Sequence, residues 1–225
     1  MNTSARPKVG LLALTLELYE TLTPGLRAAR EAWLRQVLIP AVEPHADVLF
    51  DAAVFRRSDI ESTVAGFEQA GADALVVVML TYSPSQLALP ALTRTRLPCM
   101  IWNTQELPAV DQSFSQEQMV DNHGVHGTQD LASVLVRSGV PFQYVTSLTN
   151  DAAGLAELGD FCAAAAAVRR LRSARIGMLG YPFPGMGDFA LDTTHLAATL
   201  GCSWTNLTVE DYICRAAAAG GAEVA

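Results

Sequence analysis

The stretch ALVVVML, residues 74–80, is apolar at every position. A half-exposed strand alternates apolar and polar residues, whereas a strand covered by helices on both faces reads as a continuous run of Val, Leu and Ile. The run therefore marks the centre of a parallel sheet. Gly71 just before it is a helix-end signal, and Ser83 and Pro84 just after it open another helical segment.

Strand–helix units extend from this centre in both directions. On the N-terminal side, residues 9–14 form a strand, and residues 26–42 form a helix opened by Thr23 and Pro24. Residues 48–55 are a second strand, and Ser58 with Glu61 makes a capping-box pattern leading into a helix through Ala70. On the C-terminal side, residues 99–102 are a short strand, followed by a long polar insertion over 103–118 and a helix over 119–137 broken by Gly124 and Gly127. Residues 142–147 are another strand, and 151–171 a long alanine-rich helix. Repeated units of this kind build a parallel sheet with right-handed crossovers, and a flavodoxin-like open sheet with helices on both faces is the simplest architecture. A fresh strand, ARIGML at 174–179, then leads into a glycine- and proline-rich loop, a helix near 194–200 and an alanine-rich end. The division is thus an N-terminal α/β domain, 1–172, and an incomplete second α/β domain, 173–225, too short to bury an open sheet by itself.

With 225 residues, half of them hydrophobic and 17% charged, the chain is an ordinary globular protein rather than a disordered one. A net charge of −8 with scattered basic residues argues against nucleic acid. Cys99, Cys162, Cys202 and Cys214 lie far apart without C-x-x-C spacing, which suits reduced thiols rather than a zinc cluster or a disulfide framework. Residues 1–7 are polar, and no apolar run approaches the ~18 residues needed to span a bilayer. The cytoplasm is the expected location, with no membrane partner.

Ligands of open α/β sheets gather beyond the carboxyl ends of the strands. Four loops qualify. TLELYE, 15–20, carries Glu17, Tyr19 and Glu20, which either face a polar ligand or form a solvated helix entrance. TYSP, 81–84, puts hydroxyls at a helix start, for capping or for an anion. NHGVHGTQD, 122–130, holds His123 and His126 three apart, with glycines that let a ligand approach the backbone. Two histidines fall short of a metal site, which wants a third or fourth ligand, and a polar binding loop is the better reading. GYPFPGMGD, 180–188, follows a strand but fits neither the P-loop nor the G-x-G-x-x-G pattern. No G-x-S-x-G elbow or cysteine–histidine pairing is legible, and no catalytic residue is assigned.

LELYET, VVVMLTYSP, MIWNTQ, NHGVHGTQD and RIGMLGYPFPGMGD, in this order, resemble the N-terminal half of L-arabinose isomerase and its L-fucose isomerase-like relatives. The resemblance implies interconversion of an aldose and a ketose, with Mn²⁺ expected in the complete enzyme and its ligands lying beyond the matched segment, so that this chain alone has no metal site and no activity. It implies a homo-oligomer with the sugar site shared between subunits. His126 matches the histidine that reaches into a neighbour's site, His123 the adjacent polar contact and Met186 a pocket-lining methionine. Leu16 stands where arabinose isomerases carry a glutamine, and Gly187 and Asp188 replace the usual basic residue, which leaves the sugar open between the arabinose, fucose and other branches. The competing readings are a non-catalytic sugar-binding or regulatory α/β module, and a stand-alone enzyme that would need an acid–base pair among Glu17, Glu20, Asp188 and the two histidines.

Overall fold

The computed structural model describes residues 6–181, 183–187 and 191–219. The chain divides into two compact units, Met1–Ala166 and Ala167–Ala225.

In the first unit, β1 (Lys8–Leu14), β2 (Asp47–Leu49), β3 (Ala74–Met79), β4 (Cys99–Asn103) and β5 (Gln143–Thr146) form one parallel sheet in the order β2-β1-β3-β4-β5. This is the flavodoxin-like order of a doubly wound sheet. The apolar run is its central strand: all six residues of β3 are buried, and β3 pairs with β1 from Val9↔Ala74 to Leu14↔Met79. Side-chain alternation divides the core in two. Leu11, Ala13, Val76, Val78, Leu80 and Trp102 face one side, and Leu12, Leu14, Leu75, Val77, Met79 and Ile101 the other.

The first side is covered by α8 (Ala152–Ser173) and by one helical rod made of α2 (Leu26–Trp33), a π-helical turn (Leu34–Leu38) and α3 (Ile39–Val42). Leu34, Leu38 and Val42, four apart, are fully buried. Pro40 has no N–H, and its ring needs room at the Gln36 carbonyl, so the turn before it widens. The helix expected over 26–42 is therefore present with a π turn inside it. It begins at Leu26, as expected, directly after Gly25 in a left-handed conformation (φ 92). The second side is covered by α4 (Arg57–Gln69), α5 (Ser85–Arg94) and α7 (Gly124–Arg137). Short helices α1 (Glu17–Leu22) and α6 (Gln116–Asp121) complete the unit.

Several local expectations differ. The strand expected over 48–55 ends at Leu49, and the chain returns to the sheet only at Val54, which bridges Leu14. Ser58 and Glu61 do not form a capping box. Arg56 stands at the start of α4, Ser58 bonds to Asp59, and Glu61 pairs with Arg57 and Arg94. A complete capping box forms instead at Ser115 and Gln118. Gly71 does end α4, at φ 77. The break within 119–137 falls at Asn122 and His123, between α6 and α7, and not at the two glycines.

In the second unit, β6 (Arg175–Leu179) pairs in parallel with β7 (Ser203–Leu207). Asp192 caps α9 (Thr193–Leu200), and Thr208 caps α10 (Val209–Ala218). β7 and α10 occupy the stretch read from sequence only as an alanine-rich end. With two strands, the unit leaves Leu179, Leu207 and Tyr212 about half exposed, around a cavity of about 300 Å³. Among the described residues, no helix is long and apolar enough to cross a membrane.

Candidate functional site

In this strand order, neighbouring connections leave β1 and β3 toward opposite faces, and a crevice opens beyond their carboxyl ends. Three segments meet there. The chain leaving β1 enters α1 and carries Tyr19, the chain leaving β3 carries Tyr82, and the start of α7 carries His123 and His126. The phenol oxygen of Tyr19 lies 3.2 Å from His123 Nδ1. The His123 ring is 5.8 Å from Tyr82 and meets His126 edge-on at 4.6 Å. The two histidines singled out from sequence thus stand together, joined by two tyrosines from other loops.

Glycine makes this approach possible. A Cβ on Gly124 would fall 2.5 Å from the Met79 carbonyl oxygen, and one on Gly127 would lie 3.1 Å from Met79 Sδ and 3.2 Å from the Ser83 nitrogen. The start of α7 therefore rests directly on the end of β3. Farther along α7, Thr128 Oγ1 lies 3.3 Å from Asn103 Oδ1 at the end of β4, and accepts from Tyr144 of β5 at 3.2 Å.

The hydroxyls of the loop over 81–84 do not cap α5. The Ser85 nitrogen at the start of that helix donates to Asp130 of α7 at 3.0 Å, so a carboxylate already occupies the position. Glu17 and Glu20 of the first loop are drawn into ion pairs with Arg56 and Arg27, which identifies them with the solvated entrance to a helix. Tyr19 alone of that loop's polar residues turns to the histidines. Leu16 sits half-buried at the start of α1, where its side chain offers only apolar contact. Met186 belongs to the second unit and is about half exposed; Asp188 lies outside the described residues.

The polar insertion is held over this region by Arg30. Arg30 is buried on α2, donates to Glu106 at 2.5 Å and to the Asp121 carbonyl at 3.2 Å, and stacks on Trp33. Both ends of the insertion are thereby gripped by one guanidinium. Asn122 adds a second tie by accepting from the Leu107 nitrogen at 2.9 Å. Between the insertion and α7 lies a cavity of about 190 Å³, with Leu107, Phe114, Met119 and Val125 as apolar walls and Asn122, His123 and His126 as its polar edge. Sequence reasoning passed over Arg30, although a signal was there: Leu26, Arg30, Leu34 and Leu38 share one stripe, and a charge at a core position asks for a buried partner. Among the described residues, no group of three or more His, Cys, Asp or Glu side chains could hold a metal ion.

Burial, and secondarily the neighbouring His126, push the His123 imidazole below its ordinary pKa of 6.5, and burial pushes the Tyr19 phenol up. At neutral pH the pair is uncharged. When Tyr19 donates to Nδ1, the ring proton of His123 stands on Nε2 as a donor toward a ligand. With the folded pKa below the unfolded one, the unfolded chain binds more protons between the two values. This contribution to stability is thus complete above 6.5 and is lost as pH falls through the folded value. An NMR titration of the imidazoles is expected to place the His123 midpoint below 6.5, and His126→Ala to move it upward. A midpoint at or above 6.5 would contradict this arrangement.

Fold and crevice together define a flavodoxin-like α/β protein with two tyrosines and two histidines gathered at the switch between β1 and β3. No protein-family model matches the chain. The chain is similar to a sugar isomerase: it is 24% identical over 144 residues to the sulfoquinovose isomerase of Alkalicoccus urumqiensis. That alignment covers 64% of this chain and 31% of the relative, so the chain spans about a third of the length of the curated protein it matches. The likeness is to a sugar isomerase and does not single out the L-arabinose or L-fucose isomerases.

Proposed function

We propose that this chain is the N-terminal portion of an aldose–ketose isomerase, contributing sugar contacts and a subunit interface rather than the acid and base. The observation that carries this reading is the convergence of Tyr19, Tyr82, His123 and His126 on the switch point of a chain similar to a sugar isomerase. Neutral imidazoles and phenols suit sugar hydroxyls, which need donors and acceptors without net charge. The exposed apolar wall beside His126, with Val110 72% and Met119 47% exposed, suits a neighbouring subunit. In this reading the divalent ion, Mn²⁺, finds its ligands in residues outside this chain and stabilises charge developing on the sugar oxygens. L-Arabinose, L-fucose and sulfoquinovose are the candidate substrates.

A non-catalytic sugar-binding module is the second reading, favoured by Glu17 and Glu20 being engaged by arginines instead of standing free as acid and base. One experiment separates the two. Aldose–ketose conversion of the three sugars with Mn²⁺ is measured for this chain and for a protein extended by a full isomerase C-terminal portion. Conversion by the extended protein alone is the expected result. Binding without conversion by either protein would favour the module, and conversion by the short chain would place the acid and base within it.

A further inference from the structure

Among the described residues, four buried side-chain polar atoms have no hydrogen-bond partner: Thr15 Oγ1, Ser83 Oγ, Thr104 Oγ1 and Arg30 Nε. Their positions are related. Thr15 follows the last residue of β1, Thr104 the last of β4, and Ser83 lies four residues past the end of β3. Continuing the registers Leu14↔Met79 and Val77↔Ile101 by alternation sets Thr15 and Thr104 on either side of Leu80, at one level and on the face covered by α2. Arg30 is on the stripe that α2 turns to that same face, one turn before the buried Leu34. Ser83 borders the opposite side, against α7. Among the other buried hydroxyls, those of Thr81, Thr128 and Ser147 each have a partner.

Leaving a buried donor or acceptor unpaired is costly, and native structures hold few such groups. Here the three hydroxyls stand at or just past the carboxyl ends of three adjacent strands, where this fold places its ligand, and Arg30 lies on the helix that covers one face there. Their chemistry selects among ligands. Three hydroxyls both donate and accept, and Arg30 Nε donates. The charge of Arg30 is already met by Glu106 at 2.5 Å and by an Asp121 carboxylate oxygen 3.8 Å from Nε itself, beyond hydrogen-bond reach, so the group leaves no surplus positive charge for an anion.

We propose that Thr15, Ser83, Thr104 and Arg30 Nε form the seat of a neutral polyhydroxyl ligand, the hydroxyl-bearing chain of a sugar. The ligand class rests on the sugar reading above, while the seat itself rests on the four orphaned atoms. All four are shut off from solvent, so occupation requires the crevice to part.

The test uses the whole chain with Thr15→Val and Thr104→Val, singly and together, and L-arabinitol, L-fucitol and galactitol as probes. Valine keeps the shape and removes the orphaned hydroxyl, so without polyol the variants are expected to match or exceed the wild-type Tm. Polyol is expected to raise the wild-type Tm, and its affinity by ligand-observed NMR to fall by roughly three- to tenfold for each hydroxyl removed. Three results would each overturn the seat. They are a lowered Tm in the valine variants, which would mean an internal water holds the hydroxyls, an unchanged polyol affinity in those variants, or no polyol binding to wild type. Sugar alcohols have no carbonyl to isomerise, so failure of the extended protein to turn over sugar would defeat the isomerase reading and leave this result standing.

Discussion

Gly124→Ala is expected to destabilise the protein by about 1–3 kcal/mol and to detach His123 from Tyr19. In an open helix the same change would be favourable by up to about 1 kcal/mol, because alanine restricts the unfolded backbone more than glycine does. The sign is decided by what the new methyl meets. At Gly124 it is the Met79 carbonyl oxygen, 2.5 Å away, and Met79 is hydrogen-bonded within the central strand and cannot retreat. α7 must move instead, taking His123 and His126 with it. Gly66 of α4 is the matched control, since a Cβ there meets nothing within 4 Å, and Gly66→Ala should stabilise the chain. Thermal unfolding of the two variants, with the His123 NMR titration as readout of the crevice, is decisive. A Gly124→Ala protein as stable as wild type would mean that α7 does not rest on β3.

The second large effect concerns function. On the isomerase proposal, His126→Ala in the extended protein supplied with Mn²⁺ is expected to lower kcat/KM by about 100-fold or more while leaving Tm nearly unchanged. His126 is exposed, borders the 190 Å³ cavity and meets His123 only edge-on, so its removal opens no core void. An oriented donor at a reacting sugar, by contrast, is worth roughly two to three orders of magnitude when lost. A large fall in Tm would make His126 a structural residue, and unchanged turnover would remove it from the sugar site.

The parts of this molecule that were legible in its sequence are those governed by local pattern. ALVVVM could be read as a central strand because burial on both faces leaves a direct mark on composition. His123 and His126 could be singled out because both fall within one short stretch of sequence, 122–130. Contacts between distant residues left no such mark: Tyr19 meets His123 across 104 positions, and Arg30 meets Glu106 across 76. Gly124 and Gly127 were misread for a related reason. Glycine in a helix looks like a break until the strand it must approach is known. The capping box was placed at Ser58 because an apolar helix follows it, and missed at Ser115 because the helix there lies in a polar insertion.

The strand order also bears on synthesis of the chain in a cell. β1 leaves the ribosome well before β3, and its longest pairing, with β3, waits until about 65 further residues have been made. At roughly 5–20 residues per second, that interval lasts several seconds. Throughout it, a strand with six consecutive buried positions has only the three-residue β2 to pair with. Those seconds give a nascent-chain chaperone a defined target, and translation rate between residues 15 and 73 sets how long that target persists.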